Sequence, residues 1–488
     1  MSTVKHFLHP FFYPKSIAIV GATANPVKMN FTITENLLRL KFTGKLYLVN
    51  PTTDEILGIK TYPNLISIPD DIELVVSAVP YGVTLDIVKQ CVDKGIKRLV
   101  IVAGGFSEAG KEGEELHKKV EKFAKENGIR VLGPNTLSPI NTSNNLVISF
   151  HTVEKLKKGG LAFVFQSGLY EYKLNWVFSH LGISKILDLG NKMDISEVDA
   201  LQYLAEDPDT RVITMHIESV RGDGRHFVKL LKETSKKKPI IILKSGRTGA
   251  GAQAAVSHTG AIARENDSLF DSMLRQVGVI RAQDLDEFFD FAKVFAFSML
   301  PKGNRVAVIN ISGGEGVIAA DACERHGLEM AKLGKKSYER LKRIFPPWEV
   351  PLNPLDAGPC MEFHMADFAT DFSRFFIEVG SLLEDDNVDC MVMQIPSTIF
   401  LKASATRGFS QSALSELMDT VVNIYLGMKE RKPLTLWKSS MDSIESEFVK
   451  RLEQSEIPVY SSAEKAAKAL GMLYKYKKMR EANEEGAA

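Results

Sequence analysis

Short apolar runs alternate along the chain with segments of helical periodicity. The runs at 16–21 (SIAIVG), 45–51 (KLYLVNP), 74–80 (LVVSAVP) and 98–106 (RLVIVAGGF) each end at or close to glycine, proline or asparagine. A charged amphipathic segment at 113–127 follows the last of them. Buried strands that alternate with helices predict a parallel, doubly wound sheet, with a ligand crevice at the carboxyl ends of its strands.

The same pattern begins twice more. After a polar link at 141–158, the run GGLAFVFQSG (159–168) opens a second unit, and NRVAVINISGGEG from Asn304 opens a third. Three openings predict an α/β fold with three doubly wound domains rather than a short-period solenoid. We expect domains at residues 1–145, 146–300 and 301–475, followed by a flexible tail at 476–488.

Composition and charge narrow the class of protein. A length of 488 residues is too long for one core and fits about three domains. The formal net charge of +1 offers no electrostatic argument for nucleic acid or an anionic membrane as partner, and no window approaches 18 uninterrupted apolar residues. The four cysteines lie far apart without zinc-ligand spacing, so we expect no metal site and a reducing, cytoplasmic location.

The turn after the first predicted strand fits two interpretations, a ligand-binding loop and a purely structural turn. It begins at Gly21, but Thr23 and Asn25 stand where a GxGxxG motif would place glycine. A structural turn between strand and helix is as consistent with this sequence as a ligand loop is. Lys28, just beyond the turn, fits either a phosphate contact or an exposed helix lysine.

His258 is the candidate nucleophile. It lies in VSHTGAIA (256–263), after a run rich in glycine and alanine at 244–255, where we expect a flexible loop to turn into a helix. A neutral imidazole attacks phosphorus when a carboxylate holds its other nitrogen. Glu218 closes the preceding predicted strand, so the two side chains can meet at the sheet edge. The alternative, favoured by local spacing alone, is an exposed histidine beside a helix N-cap at Ser257 or Thr259.

Two glycine turns are candidate anion sites. Gln166, Ser167 and Gly168 precede a predicted helix, whose first N–H groups suit a phosphate. Ser167 as an ordinary N-cap fits the local sequence equally well. The third unit's GGEG turn, which contains Glu315, fits close packing of a helix on the sheet at least as well as anion binding.

Four segments together resemble the α subunit of the NDP-forming acyl-CoA synthetases, especially the ADP-forming acetyl-CoA synthetases, with succinyl-CoA synthetase more distant. They are the opening PKSIAIVGAT (14–23), QSG (166–168), GNKMD (190–194) and SHTGA (257–261). The resemblance covers nearly the whole chain. It implies a Rossmann-like CoA-binding domain, then a flavodoxin-like phosphohistidine domain and a second flavodoxin-like domain.

The resemblance also implies roles for individual residues. His258 would carry a transient phosphoryl group, and Glu218 would orient its ring. The implied phosphate-binding residues are Gln166, Ser167, Gly168, Ser257, Thr259 and Gly260. The implied CoA-binding residues are Gly21, Thr23, Lys28, Asn50, Pro51, Ala78, Val79 and Pro80. The implied reaction converts a small carboxylic acid, CoA and ATP reversibly into acyl-CoA, ADP and phosphate.

Two departures and one missing part qualify the resemblance. Phe165, Leu169 and Tyr170 crowd the QSG turn, where relatives have small residues, and Glu315 replaces a proline in the third domain's turn. No ATP-grasp region follows residue 470, which implies a separate ATP-grasp β subunit that binds ATP or ADP with Mg²⁺, in an αβ or α2β2 assembly. Glycines in the histidine loop would let it swing between sites; they are Gly246, Gly249, Gly251 and Gly260.

Two other functions remain open. A CoA-binding protein without phosphotransfer activity is suggested by the crowded QSG turn. A nicotinamide-dependent dehydrogenase rests only on the first turn between strand and helix.

Overall fold

The computed structural model describes residues 6–259, 267–363, 373–396, 410–438 and 443–485; the side chains of 255–259, 373, 443–444 and 483–485 fall outside this description. Three mainly parallel sheets form the fold, and the chain divides into two compact units, 1–288 and 289–488. The predicted α/β class with three doubly wound sheets is confirmed. In the described ranges, none of the helices is long and apolar enough to cross a bilayer.

The first sheet has the Rossmann strand order. Its order is β3-β4-β2-β1-β5-β6-β7, and the six parallel strands therefore run 3-2-1-4-5-6 with β1 at the centre. The strands are β1 (Ser16–Val20), β2 (Lys45–Val49), β3 (Glu55–Ile56), β4 (Ile59–Tyr62), β5 (Leu74–Ser77), β6 (Arg98–Ile101) and β7 (Arg130–Leu132). The helices are α1 (His9–Phe12), α2 (Phe31–Arg39), α3 (Thr84–Asp93) and α4 (Lys111–Glu126), with 3-10 turns at Tyr81–Val83 and Ser107–Ala109.

The second sheet has the flavodoxin order with an added hairpin. Its order is β14-β13-β12-β10-β11-β8-β9, so its five parallel strands run 2-1-3-4-5. The strands are β8 (Ile140–Asn141), β9 (Leu146–Val147), β10 (Lys158–Phe165), β11 (Ile183–Asp188), β12 (Val212–Ile217), β13 (Ile240–Lys244) and β14 (Ile280–Ala282). The helices are α5 (Leu174–His180), α6 (Glu197–Glu206), α7 (Gly224–Ser235), α8 (Gly249–Thr259), α9 (Asp267–Gln276) and α10 (Leu285–Phe297), with a 3-10 helix at Gly168–Lys173.

The loop after β11 docks the second sheet onto the first. Met193 N–H donates to the carbonyl of Gly133 (2.8 Å) and Ile195 N–H to that of Val131 (3.2 Å), so this loop extends the edge at β7. The Asp194 carboxylate accepts from Arg130 Nε (2.7 Å) and Val131 N–H (2.9 Å). One apolar core then runs through both sheets, which explains why residues 1–288 form a single unit.

The third sheet repeats the flavodoxin order. Its path is β16-β15-β18-β19-β20, with β17 paired to the end of β15. The strands are β15 (Arg305–Asn310), β16 (Glu329–Met330), β17 (Leu355–Asp356), β18 (Cys390–Gln394), β19 (Leu434–Trp437) and β20 (Val459–Tyr460). The helices are α11 (Gly313–Arg325), α12 (Lys335–Leu341), α13 (Ala357–Phe363), α14 (Ser373–Val379), α15 (Gln411–Lys429), α16 (Ser443–Gln454) and α17 (Ala463–Glu485), with a 3-10 helix at Gly380–Leu383.

Three segments differ from the expectation from sequence. The polar link after residue 141 contains the buried strand β9, which pairs with β8 at the edge of the second sheet. The expected flexible tail instead continues helix α17 to Glu485, because Leu473 and Tyr476 are buried at helical spacing. An apolar stripe of Leu174, Trp176, Val177 and Leu181 predicts that these four residues lie in the core. Trp176 is instead 39% exposed, whereas its neighbour Val177 is buried.

Candidate functional site

The strand tips predicted to cradle CoA lie together at one edge of the first sheet. Strand β1 lies between β2 and β5, so the turns after all three strands are neighbours. Asn50 Nδ2 donates to the carbonyl of Ala22 (2.8 Å), and Ala78 N–H donates to that of Val20 (2.8 Å). These bonds join the three turns into one ledge, which also carries Pro51, Val79 and Pro80.

Gly21 is required by the shape of this ledge. Its φ is +84°, and a Cβ there would lie 2.8 Å from Val79 Cγ1 and 2.9 Å from the carbonyl of Ala78. Thr23 is buried, and its Oγ1 accepts from Asn25 N–H (3.2 Å), which shapes the turn. Lys28 is exposed beyond it. A close backbone ledge beside an exposed cation suits a phosphate-bearing ligand such as CoA.

The tips of the second sheet place Gln166 against the backbone of Glu218. Strands β10 and β12 are parallel neighbours, and Gln166 follows the first while Glu218 follows the second. Gln166 is 2% exposed, and its Oε1 accepts from Glu218 N–H (2.8 Å) and Ser219 N–H (3.3 Å). The side chain of Gln166 therefore holds the Glu218 turn, a role the sequence analysis does not predict.

Two buried lysines hold the carbonyls of the same turn. Lys244 Nζ donates to the carbonyl of Glu218 (2.7 Å), and Lys192 Nζ donates to that of Ser219 (2.8 Å). Each lysine is 6% exposed. Lys192 comes from the loop after β11 and adopts φ +51°, so its position depends on that loop.

The QSG turn differs from the expected helix start. Gly168 begins a 3-10 helix that runs to Lys173, and the α-helix begins only at Leu174. Ser167 is extended and its side chain makes no capping hydrogen bond, so its interpretation as an ordinary N-cap is wrong. The geometry of the turn instead follows its buried aromatic residue, Tyr170.

The bulky residues at this turn pack into the core. Phe165 and Tyr170 are each 1% exposed, and their rings stack with centroids 4.4 Å apart. The Tyr170 hydroxyl donates to the carbonyl of Leu137 (2.7 Å). Leu169, between them in sequence, is half-buried. Burial of both rings pulls the first turn inward, which accounts for its tight 3-10 form.

Two buried carboxyl groups lie behind the strand tips. Asp188 is 1% exposed, and its oxygens accept from the N–H groups of Leu137 (3.1 Å) and Gly190 (3.1 Å). Burial raises the pKa of Asp188 to about 7. Glu171 accepts from Ser149 Oγ (2.7 Å), and burial raises its pKa to about 7 as well. The sequence signal for Asp188 is a carboxylate at the end of a predicted strand, two residues before Gly190.

The helix that carries residue 258 is longer than the sequence suggests. Helix α8 runs from Gly249 to Thr259, so the expectation of a flexible run that becomes helical near His258 is wrong. Alanine-rich sequence without proline favours the helix. Gly249 and Gly251 are therefore helical, whereas Gly246 keeps φ +73° as a turn residue.

The last turn of α8 holds most of the histidine motif. The backbone of Ser257, His258 and Thr259 belongs to this turn, their side chains lie outside the described atoms, and Gly260 lies outside the described residues. Helix α8 contacts the 3-10 turn Ser107–Ala109, which follows β6 at the carboxyl edge of the first sheet. The helix therefore lies beside the edge that carries the CoA ledge.

The third domain's GGEG turn is occupied by packing contacts. Glu315 Oε2 accepts from Trp437 Nε1 (3.1 Å) at the start of α11. A Cβ at Gly316 would lie 2.6 Å from Asn310 Oδ1, so the helix packs closely on β15. Across the part of the chain that the structure describes, no group of three or more histidine, cysteine, aspartate or glutamate side chains is placed to hold a metal ion.

Comparison with known proteins identifies the family. Acetate–CoA ligase (ADP-forming) II of Archaeoglobus fulgidus is 34% identical over 477 residues, which cover 97% of this chain and 67% of that protein. Acetate–CoA ligase (ADP-forming) I subunit alpha of Pyrococcus furiosus is 33% identical, with 98% of this chain and 99% of that subunit covered. The chain belongs to the ADP-forming acetate–CoA ligase family.

Two domain families match the parts of the chain that carry the strand edges described above. Residues 15–141 match the CoA binding domain, and residues 158–295 match the succinyl-CoA ligase like flavodoxin domain. A solved structure of the dinucleotide forming acetyl-coenzyme A synthetase 1 of Ca. Korarchaeum cryptofilum, in complex with phosphate and ADP, aligns with a TM-score of 0.84 at 29% identity over 99% of both chains. In this family member the ledge around Gly21 belongs to the CoA binding domain, and the Glu218 turn belongs to the flavodoxin domain.

Proposed function

We propose that this chain is the α subunit of an ADP-forming acyl-CoA synthetase that uses a phosphohistidine at His258. The observation that carries the proposal is the position of helix α8. Its sequence includes His258, it follows the strand next to the Glu218 turn, and it contacts the edge of the CoA binding domain. A group carried on this helix would lie between a CoA site and a fixed carboxylate.

The chemistry divides into three balanced steps. Phosphate attacks the acyl-CoA carbonyl, the thioester bond breaks, and CoA leaves as its thiolate while acyl phosphate forms. A ring nitrogen of His258 then attacks phosphorus, and the P–O bond to the carboxylate breaks to release the acid. Transfer of the phosphoryl group to ADP gives ATP and restores the neutral ring; all three steps are reversible.

The fixed Glu218 turn supplies what the second step requires. The ring gains positive charge as it accepts phosphorus, and a carboxylate on its other nitrogen stabilises that charge and orients the ring. Backbone N–H groups near Ser167 and Gly168, together with those near Ser257 to Gly260, would spread the charge of the equatorial oxygens. The short 3-10 helix at the QSG turn offers fewer aligned N–H groups than an α-helix, which favours a looser phosphate site.

The nucleotide step is assigned to a partner. The Pyrococcus relative is named as a subunit alpha, and this chain matches nearly its whole length. We propose an ATP-grasp β subunit that binds ATP or ADP with Mg²⁺, in an α2β2 assembly located in the cytoplasm. The acid is a small carboxylic acid.

The test is phosphate transfer in the isolated chain. Incubation with acetyl-CoA and ³²P-phosphate should give an acid-labile, base-stable label on the wild-type chain and none on His258→Ala. Equal labelling of both proteins contradicts the role of His258. Binding of CoA with no labelling of either protein supports a CoA-binding protein without phosphotransfer activity.

A further inference from the structure

The helices beside the third sheet enclose a cleft that the proposed phosphoryl transfer does not use. This α15 cleft has a volume of about 360 Å³, with Phe376, Ile377 and Met428 on its apolar side and Arg340 and Arg431 at its rim. Neither domain match extends past residue 295, so neither of them covers this part of the chain. The volume lies at the lower end of the range for small-molecule sites, which suits a compact ligand.

The inner side of the α15 cleft is apolar and open. Phe376 and Met428 are 4% and 3% exposed, whereas Ile377 is 58% exposed although it lines the same cleft. Gly380 and Gly427 also line it, and a Cβ at either position would have no atom from another part of the chain within 4 Å. The cleft therefore offers apolar surface and free space to the carbon chain of a ligand.

The rim presents guanidinium groups with unused N–H donors. Arg340 is fixed by Glu378, which accepts from its Nε (2.9 Å), and by the carbonyl of Ile377, which accepts from its Nη2 (2.7 Å). Its Nη1 lies 4.0 Å from Glu384, and Arg431 Nη2 lies 3.6 Å from the same carboxylate. Both separations are too long for a hydrogen bond. Within the described ranges, Nη1 of Arg340 and the guanidinium of Arg431 therefore donate no hydrogen bond to the protein.

Positive charge is in excess at this rim. Glu384 is shared by both rim arginines and by Lys336, whose Nζ lies 3.3 Å from it. A hydrogen bond from Lys336 and the charges of the two arginines lower the pKa of the Glu384 carboxyl. Glu378 is shared in the same way by the first rim arginine and by Arg343. Two carboxylates thus face four cations, so the rim attracts a further anion.

We propose that the α15 cleft binds a small apolar monocarboxylate, with its carbon chain against Phe376 and Met428 and its carboxylate on Arg431 and Nη1 of Arg340. A guanidinium matches a carboxylate in shape and charge, whereas an amine would meet the excess of positive charge. For a ligand of about eight non-hydrogen atoms, such as hexanoate, we expect a dissociation constant on the order of 1 mM. The inference is independent of phosphoryl transfer, because the cleft lies in the unit 289–488 and residue 258 lies in the other.

The experiment follows the methionine methyl groups of the full chain by NMR, after ¹³C labelling, during titration with hexanoate or hexan-1-ol. Met428 reports on the cleft, and Met428→Leu assigns its resonance. Met215, which is buried in β12 of the other unit, gives the control signal. Hexanoate should shift the Met428 resonance and leave that of Met215 in place. Hexan-1-ol has the same chain without the charge, and it should bind about tenfold more weakly.

A pair of arginine variants tests the recognition of the carboxylate. Arg431→Gln changes a half-exposed side chain that makes no hydrogen bond within the described ranges, so the fold should be kept. It should weaken hexanoate binding by about tenfold and leave hexan-1-ol binding unchanged. Arg325→Gln is the matched control, because Arg325 is equally exposed and pairs with Glu464 in the same unit but does not line the cleft. It should bind both compounds as the wild type does.

Each of the other results would overturn the inference. A Met428 resonance that stays in place when hexanoate is about tenfold above the expected dissociation constant excludes the site. Equal shifts of Met428 and Met215 would show binding that is not specific to the cleft. Equal affinity for hexanoate and hexan-1-ol, or hexanoate binding that Arg431→Gln leaves unchanged, would show that the rim does not recognise a carboxylate.

Discussion

The buried carboxyl of Asp188 should make this protein less stable as the pH rises. Burial raises its pKa to about 7 from an ordinary 3.8, and the N–H groups of Gly190 and Leu137 offset only part of that effect. A group whose pKa is raised by folding stabilises the folded state fully below the unfolded pKa. That contribution is lost as the pH rises through the folded pKa.

The size of the effect follows from the two pKa values. The interval from 3.8 to about 7, at about 1.4 kcal/mol for each pH unit, gives a total change of about 4 kcal/mol. About 2 kcal/mol of this falls between pH 5 and pH 7, because the slope is halved at the folded pKa. The contribution of Asp188 to the free energy of unfolding of residues 1–288 should decline by about this amount over that interval, in addition to the decline that Glu171 contributes, because burial raises the pKa of Glu171 as well.

Asp188→Asn tests the reasoning because the amide stays neutral at every pH. An asparagine can accept from only one of the two N–H groups, so the variant should be less stable than the wild type at pH 5 by about 1–3 kcal/mol. Its deficit should shrink or reverse by pH 8. The measurement is urea unfolding at several pH values, with amide exchange in Ile183–Asp188 as the probe.

The control is a carboxyl whose pKa shifts the other way. A hydrogen bond from Tyr13 lowers the pKa of Asp209, so its contribution is lost only as the pH falls. Asp209→Asn should therefore leave the decline between pH 5 and 8 intact. If the stability of the wild type and that of Asp188→Asn change in parallel between pH 5 and pH 8, ionisation of Asp188 does not cause the decline, and the reasoning is refuted.

Three further changes test the glycine turn, the docking loop and the CoA ledge. Gly190→Ala would place a Cβ 2.2 Å from the carbonyl oxygen of Pro134, at a φ of +53°. Its thermal midpoint should fall well below that of Gly128→Ala, because Gly128 has a φ of +66° but open space around it. Equal losses of thermal midpoint in the two variants would show that the clash is relieved. Asp194→Ala removes the carboxylate that joins the loop after β11 to β7. Amide hydrogen exchange in β7 should therefore become about tenfold faster. Unchanged exchange would mean that the backbone hydrogen bonds alone hold the loop. Lys28→Ala should weaken CoA binding by up to about fivefold at low salt and hardly at all at high salt, as measured by calorimetry; no change at low salt favours an ordinary exposed lysine.

Local pattern was sufficient for the architecture. Apolar runs closed by glycine, proline or asparagine predict strands and their ends, and parallel strands bring those ends to one edge. Gly21, Asn50 and Ala78 could therefore be predicted as neighbours although 57 residues separate the first from the last. The Glu218 turn beside Gln166 follows from the same rule.

Individual roles at the edges depended on partners that no local pattern reveals. We expect Gln166 to serve a phosphate through its main-chain N–H group, and no local pattern reveals that its side-chain amide oxygen accepts from the backbone of Glu218. Tyr170 at the QSG turn is buried with its ring stacked on that of Phe165, and the turn is a 3-10 helix instead of the expected α-helix.

The sequence by itself therefore determined the alternation of strands and helices and the sheet edges at which the strands end, because periodicity and turn residues act over a few positions. Only the tertiary structure decided which polar side chains hold the protein's own backbone. Asp194 shows the physical reason: its partner Arg130 is 64 residues away, and a hydrogen bond across that distance in sequence exists only once two sheets have docked.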